Sequence, residues 1–318
     1  MSQEIVEKTF DVATQPKLTL FNIRGSVEIH TGVDHTISVS ALIHQRSGDS
    51  ELTKIEMTQL DANHVSVRTV YHVGWLGFHT HKPCKVQFTI QVPKGCSLSV
   101  SGVSSSTAIQ GNESDMQLKS VSGQVTLQDV SGLIKINSVS GNVFGCRVVG
   151  SLDINTVSGK VRFEESKLSS VSGQTISGNV ILQTPLIKGP YQFDSVSGDV
   201  ELLVPVDTSC TAILNSLSGR LSAALPATNH QANGGYQRLE IQGGGIEVKL
   251  KSVSGNLYLK PFKDTFPKER SIPTLSQSGA RSTIPNISNT PSTDNYMGVL
   301  ERINKGELSV DEAIEIIS

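Results

Sequence analysis

The sequence has few of the residues that mark several common classes of protein. Only 5% of its 318 residues are aromatic, and one of these is Trp, so a core built on large rings is not expected. The 27 basic and 29 acidic side chains give a formal net charge of −2 at pH 7. Proteins that bind nucleic acid by neutralising phosphates need an excess of basic groups, as do polybasic membrane-surface modules. The charge balance therefore argues against a nucleic-acid partner.

Long apolar runs are also missing, since no stretch reaches the roughly 18 apolar residues that a membrane-spanning helix requires. We therefore expect no direct membrane insertion. The first ten residues include Glu4, Glu7 and Lys8 and are not followed by the apolar segment of a secretory signal. The few cysteines form no CxxC pair, and we expect free thiols in a reducing compartment. They are Cys84, Cys96, Cys146 and Cys210. The sequence predicts a cytoplasmic protein, with surface exposure by a non-classical route left open.

The sequence is rich in one repeated tetrad, Ser-Val-Ser-Gly. It occurs at residues 99–102, 120–123, 138–141, 170–173, 195–198 and 252–255, with near copies at 129–132, 156–159, 175–178 and 216–219. Apolar residues alternate with polar ones around the tetrad, as in Val121, Gly123, Val125 and Leu127. Residues two apart on a strand share a face. We therefore predict that these apolar residues point inward, with the glycines on the same face or at a bend.

The spacing of the glycines predicts the architecture. Glycines recur every nine residues at positions 123, 132, 141, 150 and 159. One unit is then a strand of about six residues plus a turn, and two units make a coil of roughly 18 to 21 residues. We predict an all-β fold, a β-helix-like β-solenoid over residues 97–260, with glycine at corners that have no room for a Cβ atom. A β-sandwich or meander of repetitive hairpins is the alternative.

The composition divides the chain into four parts. Residues 1–96 are strand-rich but not repetitive, and we expect them to form the first coils and a cap over the open solenoid end. Residues 97–260 carry the repeats. Residues 261–293 contain five prolines and no periodicity, which predicts a disordered linker. Residues 294–318 return to a helical pattern.

The last segment predicts a small α-helical hairpin. Apolar residues recur at helical spacing, and Ser309 with Glu312 forms a capping box at the start of the second helix. A hairpin of this size buries too little surface to be stable alone. We therefore expect it to mediate self-association or to dock on a protein partner, with docking on the solenoid left open. Its candidate contact residues are Tyr296, Leu300, Ile303, Ile314 and Ile317.

Residues 71–84 hold the densest group of chemically active side chains. Imidazole and thiolate ligands suit Zn²⁺, although the spacing matches no standard zinc motif, and a hairpin tip with solvated histidines is the alternative. The weak metal candidates are His72, His79, His81 and Cys84. Trp75 and Phe78 are candidates for a partner contact, because exposed aromatics often mark interfaces. We predict no cofactor and no catalytic residue.

Two parts of the chain resemble known families. With the tetrads, residues 20–29 and 86–95 resemble bacterial β-strand-repeat domains known as "putative adhesins", over about residues 10–260. Residues 299–313 resemble the short helical modules called SHOCT-like. The resemblance implies a β-solenoid in a bacterial protein and carries over no catalytic residue.

The leading hypothesis is a non-enzymatic scaffold or interaction protein whose hairpin mediates oligomerisation or partner docking. The first alternative is a surface adhesin or cell-envelope component. The second is a metal-binding protein or enzyme that uses the loop between His72 and Cys84.

Overall fold

A computed structural model describes residues 3–71 and 82–262. Within these residues the chain forms 23 strands and one 3-10 helix, Gln45–Ser47. The strands are β1 (Gln3–Asp11), β2 (Lys17–Thr31), β3 (Thr36–His44), β4 (Thr53–Asp61), β5 (His64–Tyr71), β6 (Lys85–Val92), β7 (Ser97–Gln110), β8 (Met116–Ser120), β9 (Val125–Gln128), β10 (Ser131–Ser138), β11 (Val143–Cys146), β12 (Val149–Thr156), β13 (Val161–Glu164), β14 (Lys167–Thr175), β15 (Val180–Gln183), β16 (Tyr191–Ser195), β17 (Val200–Pro205), β18 (Cys210–Ser216), β19 (Leu221–Ala223), β20 (Ala227–Asn233), β21 (Tyr236–Ile241), β22 (Ile246–Ser252) and β23 (Leu257–Phe262).

The strands lie in two hydrogen-bonded stacks that share β2 and β7. The first stack has the order β4-β5-β2-β7-β8-β10-β12-β14-β16-β22-β18-β21-β20. The second has the order β1-β3-β6-β2-β7-β9-β11-β13-β15-β17-β23-β19. One turn of the chain, here called a rung, places one strand in each stack. This arrangement is the all-β solenoid that the repeats predict.

The register confirms the predicted coil length. Ile134 lies opposite Met116 on one side and Leu152 on the other, so these rungs are 18 residues apart. Further along, Val180 lies opposite Val200, a separation of 20 residues. Inward-facing side chains such as Ile134 are fully buried and belong to one continuous apolar core. Each buried aliphatic side chain contributes about 1.5–3 kcal/mol relative to exposure, so the stacked rungs supply most of the stabilisation.

Antiparallel strands close the N-terminal ends of both stacks and the C-terminal end of the first stack. At the N-terminal end, β3 and β1 lie beyond β6, and β4 lies beyond β5. At the C-terminal end, β21 and β20 extend the first stack beyond β18. An open solenoid end would present unpaired backbone groups that recruit other strands. The outermost strand β1 carries Glu4, Glu7 and Lys8, and charges of this kind protect an edge.

The last two rungs are stacked in the reverse of their chain order. Tyr191 of β16 lies opposite Val248 of β22, and Cys210 of β18 lies opposite Ile246 on the other side of β22. β23 likewise lies between β17 and β19. The strands β18 and β19 therefore do not stack directly on β16 and β17. The position between them is occupied by β22 and β23, which follow β18 to β21 in the chain. Gly243 and Gly244, both at positive φ, make the turn between β21 and β22.

The predicted linker and helical hairpin lie outside the described residues, except that Pro261 and Phe262 end β23. Within residues 3–71 and 82–262, no helix is long and apolar enough to cross a membrane.

Candidate functional site

Most of the residues predicted to bind a metal or a partner lie outside the described ranges. They are His72, Trp75, Phe78, His79, His81, Tyr296, Leu300, Ile303, Ile314 and Ile317. Cys84 is described, and it is fully buried. Its backbone N–H donates to Thr53 Oγ1 over 3.0 Å, and its thiol donates to the carbonyl of Gln45 over 3.7 Å. Among the described residues, no group of three or more His, Cys, Asp or Glu side chains could hold a metal ion.

The other three cysteines are poor nucleophiles at neutral pH. Burial raises the pKa of Cys96 to about 12 and that of Cys210 to about 11. Desolvation also raises the pKa of the half-buried Cys146, although the neighbouring Arg147 opposes the shift. The thiolate is the reactive form. Cys96 and Cys210 therefore act as apolar groups in the core, while the Cys146 sulfur accepts a hydrogen bond from Arg147.

The most ordered chemical feature is the corner where each rung passes from the first stack to the second, here called the tetrad corner. In the tetrads at this corner the first residue is a Ser or Thr, and in all but Thr156 its hydroxyl binds the backbone of the glycine three residues later. The N–H of Gly198 donates to Ser195 Oγ over 2.7 Å, and Ser195 Oγ donates to the carbonyl of Gly198 over 2.9 Å. Such side-chain bonds to local backbone stabilise turns. The serine is therefore part of the fold rather than of a solvated face.

The tetrad glycine is required because the preceding rung of the stack leaves no room for a side chain. A Cβ atom built on it would lie 1.9–2.6 Å from a backbone oxygen of the adjacent rung, closer than any real contact. In spatial order, the stacked glycines are Gly123, Gly141, Gly159, Gly178, Gly198, Gly255 and Gly219. This stack confirms the prediction that the corners have no room for a Cβ. Its order also repeats the reversal of the last two rungs.

In the tetrads at this corner the second residue points outward, contrary to the prediction that these residues face the core, whereas Val130 of the near copy at 129–132 is buried as predicted. Ile176, Val196 and Val253 are 47–48% exposed and Leu217 is 85% exposed. Together with the equivalent residues of earlier rungs they form a row, here called the ridge. In spatial order the ridge is Val103, Val121, Val139, Val157, Ile176, Val196, Val253 and Leu217. At the usual strand separation of about 4.8 Å, its eight members span roughly 34 Å.

Backbone hydrogen bonds hold the ridge in register. The serine that follows each ridge residue donates its N–H to the carbonyl of the ridge residue one rung back, over 2.8–3.1 Å. Examples are Ser140 to Val121 and Ser218 to Val253. Each ridge side chain therefore has a fixed position relative to its neighbours. The ridge is a rigid apolar line with a serine beside each member.

The opposite corner, where each rung returns to the first stack, has a different chemistry. Asp129, Arg147 and Glu165 occupy equivalent positions of three successive rungs, all with φ near +50°. Arg147 Nη2 donates to Asp129 Oδ2 over 2.7 Å. This hydrogen bond lowers the pKa of the Asp129 carboxyl below its usual value. The corner is a polar surface with charges paired between rungs.

The tetrads, the parallel rungs and the two corners lie within the region that matches a family model. The Toastrack DUF4097 model matches residues 17–260. The chain belongs to the Toastrack DUF4097 family. This membership agrees with the β-strand-repeat resemblance and with an all-β solenoid-like fold. No curated protein sequence matches the chain.

Solved structures of bacterial proteins match over most of the chain. A "putative adhesin" from Parabacteroides distasonis is 9% identical, covering 81% of this chain and 97% of that one, with a TM-score of 0.41. A "putative adhesin" from Bacteroides fragilis is 10% identical, covering 82% and 98%, with a TM-score of 0.36. A "putative lipid binding protein" from Parabacteroides distasonis is 9% identical, covering 81% and 97%, with a TM-score of 0.31.

The sequence-based prediction missed the ridge because it assumed that inward and outward side chains alternate without interruption through the whole tetrad. Stepping back by two from Val125 reaches Gly123 and then Val121, which suggests that Val121 faces the core. Stepping forward by two from Met116 instead reaches Ser120, which is buried. Counting back from Val125 and counting forward from Met116 therefore assign the inward face to different residues of the tetrad. The alternation of inward and outward side chains must shift by one residue inside the tetrad. That disagreement was the signal available in the sequence.

Proposed function

We propose that this protein is a non-enzymatic interaction scaffold. The solenoid presents the ridge as a protein-binding surface, and the predicted C-terminal hairpin supplies a second element for oligomerisation or partner docking. The observation that carries the proposal is the ridge, an exposed aliphatic row on a stack of rungs that cannot easily deform. Contiguous apolar surface of this kind marks interaction sites in water-exposed proteins.

A rigid surface suits binding because little conformational freedom is lost when a partner docks. Every ridge residue is flanked by backbone hydrogen bonds and sits over a buried core. The cost of ordering side chains and loops, which weakens many interfaces, is then small. The short β-branched side chains Val and Ile also have few rotamers to lose.

The test is affinity capture from the native cell followed by mass spectrometry, with the full-length chain as bait. The variant I176K/V253K places two charges on the ridge, and the variant L300K/I303K places two on the predicted hairpin. The control L133K/V149K adds the same charges at two exposed aliphatic residues near the opposite corner, 54% and 47% exposed. We expect the ridge variant to lose a captured protein that the control retains.

Loss with the hairpin variant alone would assign binding to the tail and remove the ridge from the proposal. Full retention by both variants would overturn the proposal. The cytoplasmic location expected from the sequence belongs to the same proposal. Digestion of the protein by protease added to intact cells would contradict it and favour the surface-adhesin alternative.

A further inference from the structure

We infer that the partner seated on the ridge is a second copy of this chain, related by a two-fold axis that runs between Val196 and Val253. This inference rests on the proposed function, because it names the occupant of the proposed binding surface. In the resulting pair, Val196 faces Val253 of the second copy, and Ile176 faces Leu217 of the second copy. The two solenoids run antiparallel.

The repeat of the ridge limits what can cover it. Its side chains recur once per rung, at the separation of hydrogen-bonded strands. A surface that contacts them along several rungs must carry groups at the same interval. A second ridge has this interval by construction, because it is built from the same rungs. Isologous two-fold pairing is also the commonest symmetry of homo-oligomers.

The distribution of exposed area places the axis. The four ridge residues nearest the C-terminal end are 47% exposed or more, whereas Val103, Val121, Val139 and Val157 are half-buried. A contact centred between Val196 and Val253 pairs these four most exposed residues with one another. The patch is on the order of a few hundred Å² on each copy, below the roughly 800 Å² per partner of a standard specific interface. We therefore expect a weak, concentration-dependent dimer.

The charges beside the ridge select the antiparallel arrangement. Asp194 precedes the tetrad of the Val196 rung, and Lys251 precedes the tetrad of the Val253 rung; both side chains are exposed. Antiparallel pairing brings the same flank of each copy together, so Asp194 faces Lys251 of the second copy and the reverse. Parallel pairing would instead bring opposite flanks together, with Asp194 facing Asp199 of the second copy. Opposed like charges disfavour that arrangement.

The corresponding polar residues on the other flank are compatible with the same arrangement. In the antiparallel pair, Asp199 faces Asn256 of the second copy, and Asn179 faces Arg220 of the second copy. Neither contact opposes two charges of the same sign. All four residues follow the glycine of their tetrad directly, so the rungs position them in the same way.

The experiment is sedimentation velocity of the full-length chain over a wide concentration range at low salt. The I176K/V253K variant is expected to associate at least tenfold more weakly, because lysine in the contact must be desolvated. The L133K/V149K control, with the same added charge, is expected to match the native chain. Circular dichroism and thermal unfolding check that both variants retain the fold.

A charge-reversal cycle tests the orientation. D194K alone places the introduced lysine against Lys251 of a second copy, and K251D alone places two aspartates together, so each variant alone is expected to be monomeric. In a mixture, D194K and K251D chains are complementary at both contacts, and association is expected to return. Neither chain regains an internal Asp–Lys pair in the mixture, so recovery reports a contact between copies. A mixture that stays monomeric would overturn the antiparallel pair.

The outcomes separate this inference from the proposed function. A native chain that stays monomeric at all concentrations, while the I176K/V253K variant still loses a captured cellular protein, overturns the second copy and leaves the ridge as a binding surface. Self-association that is lost with L300K/I303K but not with I176K/V253K assigns oligomerisation to the predicted hairpin and overturns the inference. Unchanged association and unchanged capture in the ridge variant overturn both.

Discussion

Both corners of each rung turn the chain from one stack to the other, but they differ in which residues they accept. At the tetrad corner, adjacent rungs approach so closely that the glycine of one lies on the backbone oxygen of the next. At the opposite corner, Asp129, Arg147 and Glu165 adopt a left-handed φ, with Asp129 and Arg147 exposed to solvent and Glu165 half-buried. Glycine is needed at the first corner for lack of space. At the second, the required conformation is unusual but room is available, so other residues are accepted at a modest cost.

The largest expected effect is the substitution Gly141→Ala at the tetrad corner. The new Cβ would lie 2.0 Å from the carbonyl oxygen of Gly123, a backbone atom that cannot move without shifting a whole rung. We expect a loss of about 3 kcal/mol or more in the free energy of unfolding, measured by urea denaturation. Gly95→Ala is the control, because nothing lies within 4 Å of its built Cβ. Equal stability of both variants would contradict the close approach of the rungs.

A smaller effect is expected for Ser195→Ala at the same corner. The substitution leaves the N–H of Gly198 without its 2.7 Å acceptor inside the protein. We expect destabilisation of about 1–2 kcal/mol in the same urea experiment. Ser197→Ala is the matched control, because Ser197 is exposed and its side chain makes only a 3.4 Å bond to the carbonyl of Ile176. If Ser197→Ala cost as much, the buried serine would have no special role.

Glu165→Gly tests the opposite corner and should have the reverse sign. Glu165 has a φ of +49°, a conformation that costs roughly 1 kcal/mol for a residue with a Cβ. Glycine relieves that cost, while loss of the 3.8 Å contact with Arg147 and greater freedom of the unfolded chain offset part of the gain. We expect a change between zero and about 1 kcal/mol of stabilisation. Glu164→Gly, one residue earlier at the end of β13, should instead destabilise.

The smallest effect is expected from pH at the Asp129–Arg147 pair. The pKa of Asp129 is lowered in the folded state, so the unfolded chain binds more protons across the acid range. The stability from this pair is therefore present above the unfolded-state pKa and is lost as the pH falls through the folded-state pKa. Both side chains are substantially exposed, and their contribution should stay below about 1 kcal/mol. Arg147→Gln should reduce the acid dependence of the unfolding free energy without changing stability at low pH.

The sequence predicted the repeating part of the fold well because its causes are local. A nine-residue glycine spacing can be satisfied by one strand and one tight corner, and two such units make the observed rung. The sequence-based prediction missed the outward orientation of Val196 and the other ridge residues. Inward and outward positions exchange within the tetrad, and this exchange is hard to see because apolar residues alternate on both sides of it. The predicted metal residue Cys84 proved to be buried in the packing, and the other predicted contact residues lie outside the described ranges.

By itself, the sequence determined the all-β class, the length of a rung and the need for glycine at the tetrad corner, since each depends on residues close together in the chain. Only the tertiary structure decided which rungs are neighbours. The rungs of β16/β17, β18/β19 and β22/β23 all present apolar residues at their inward positions, so each could stack on either of the others. The turn at Gly243 and the antiparallel strands β20 and β21 decide that β22 and β23 fill the level between their predecessors. Because all three rungs have apolar inward faces, the connections between the strands determine the order in which the rungs stack.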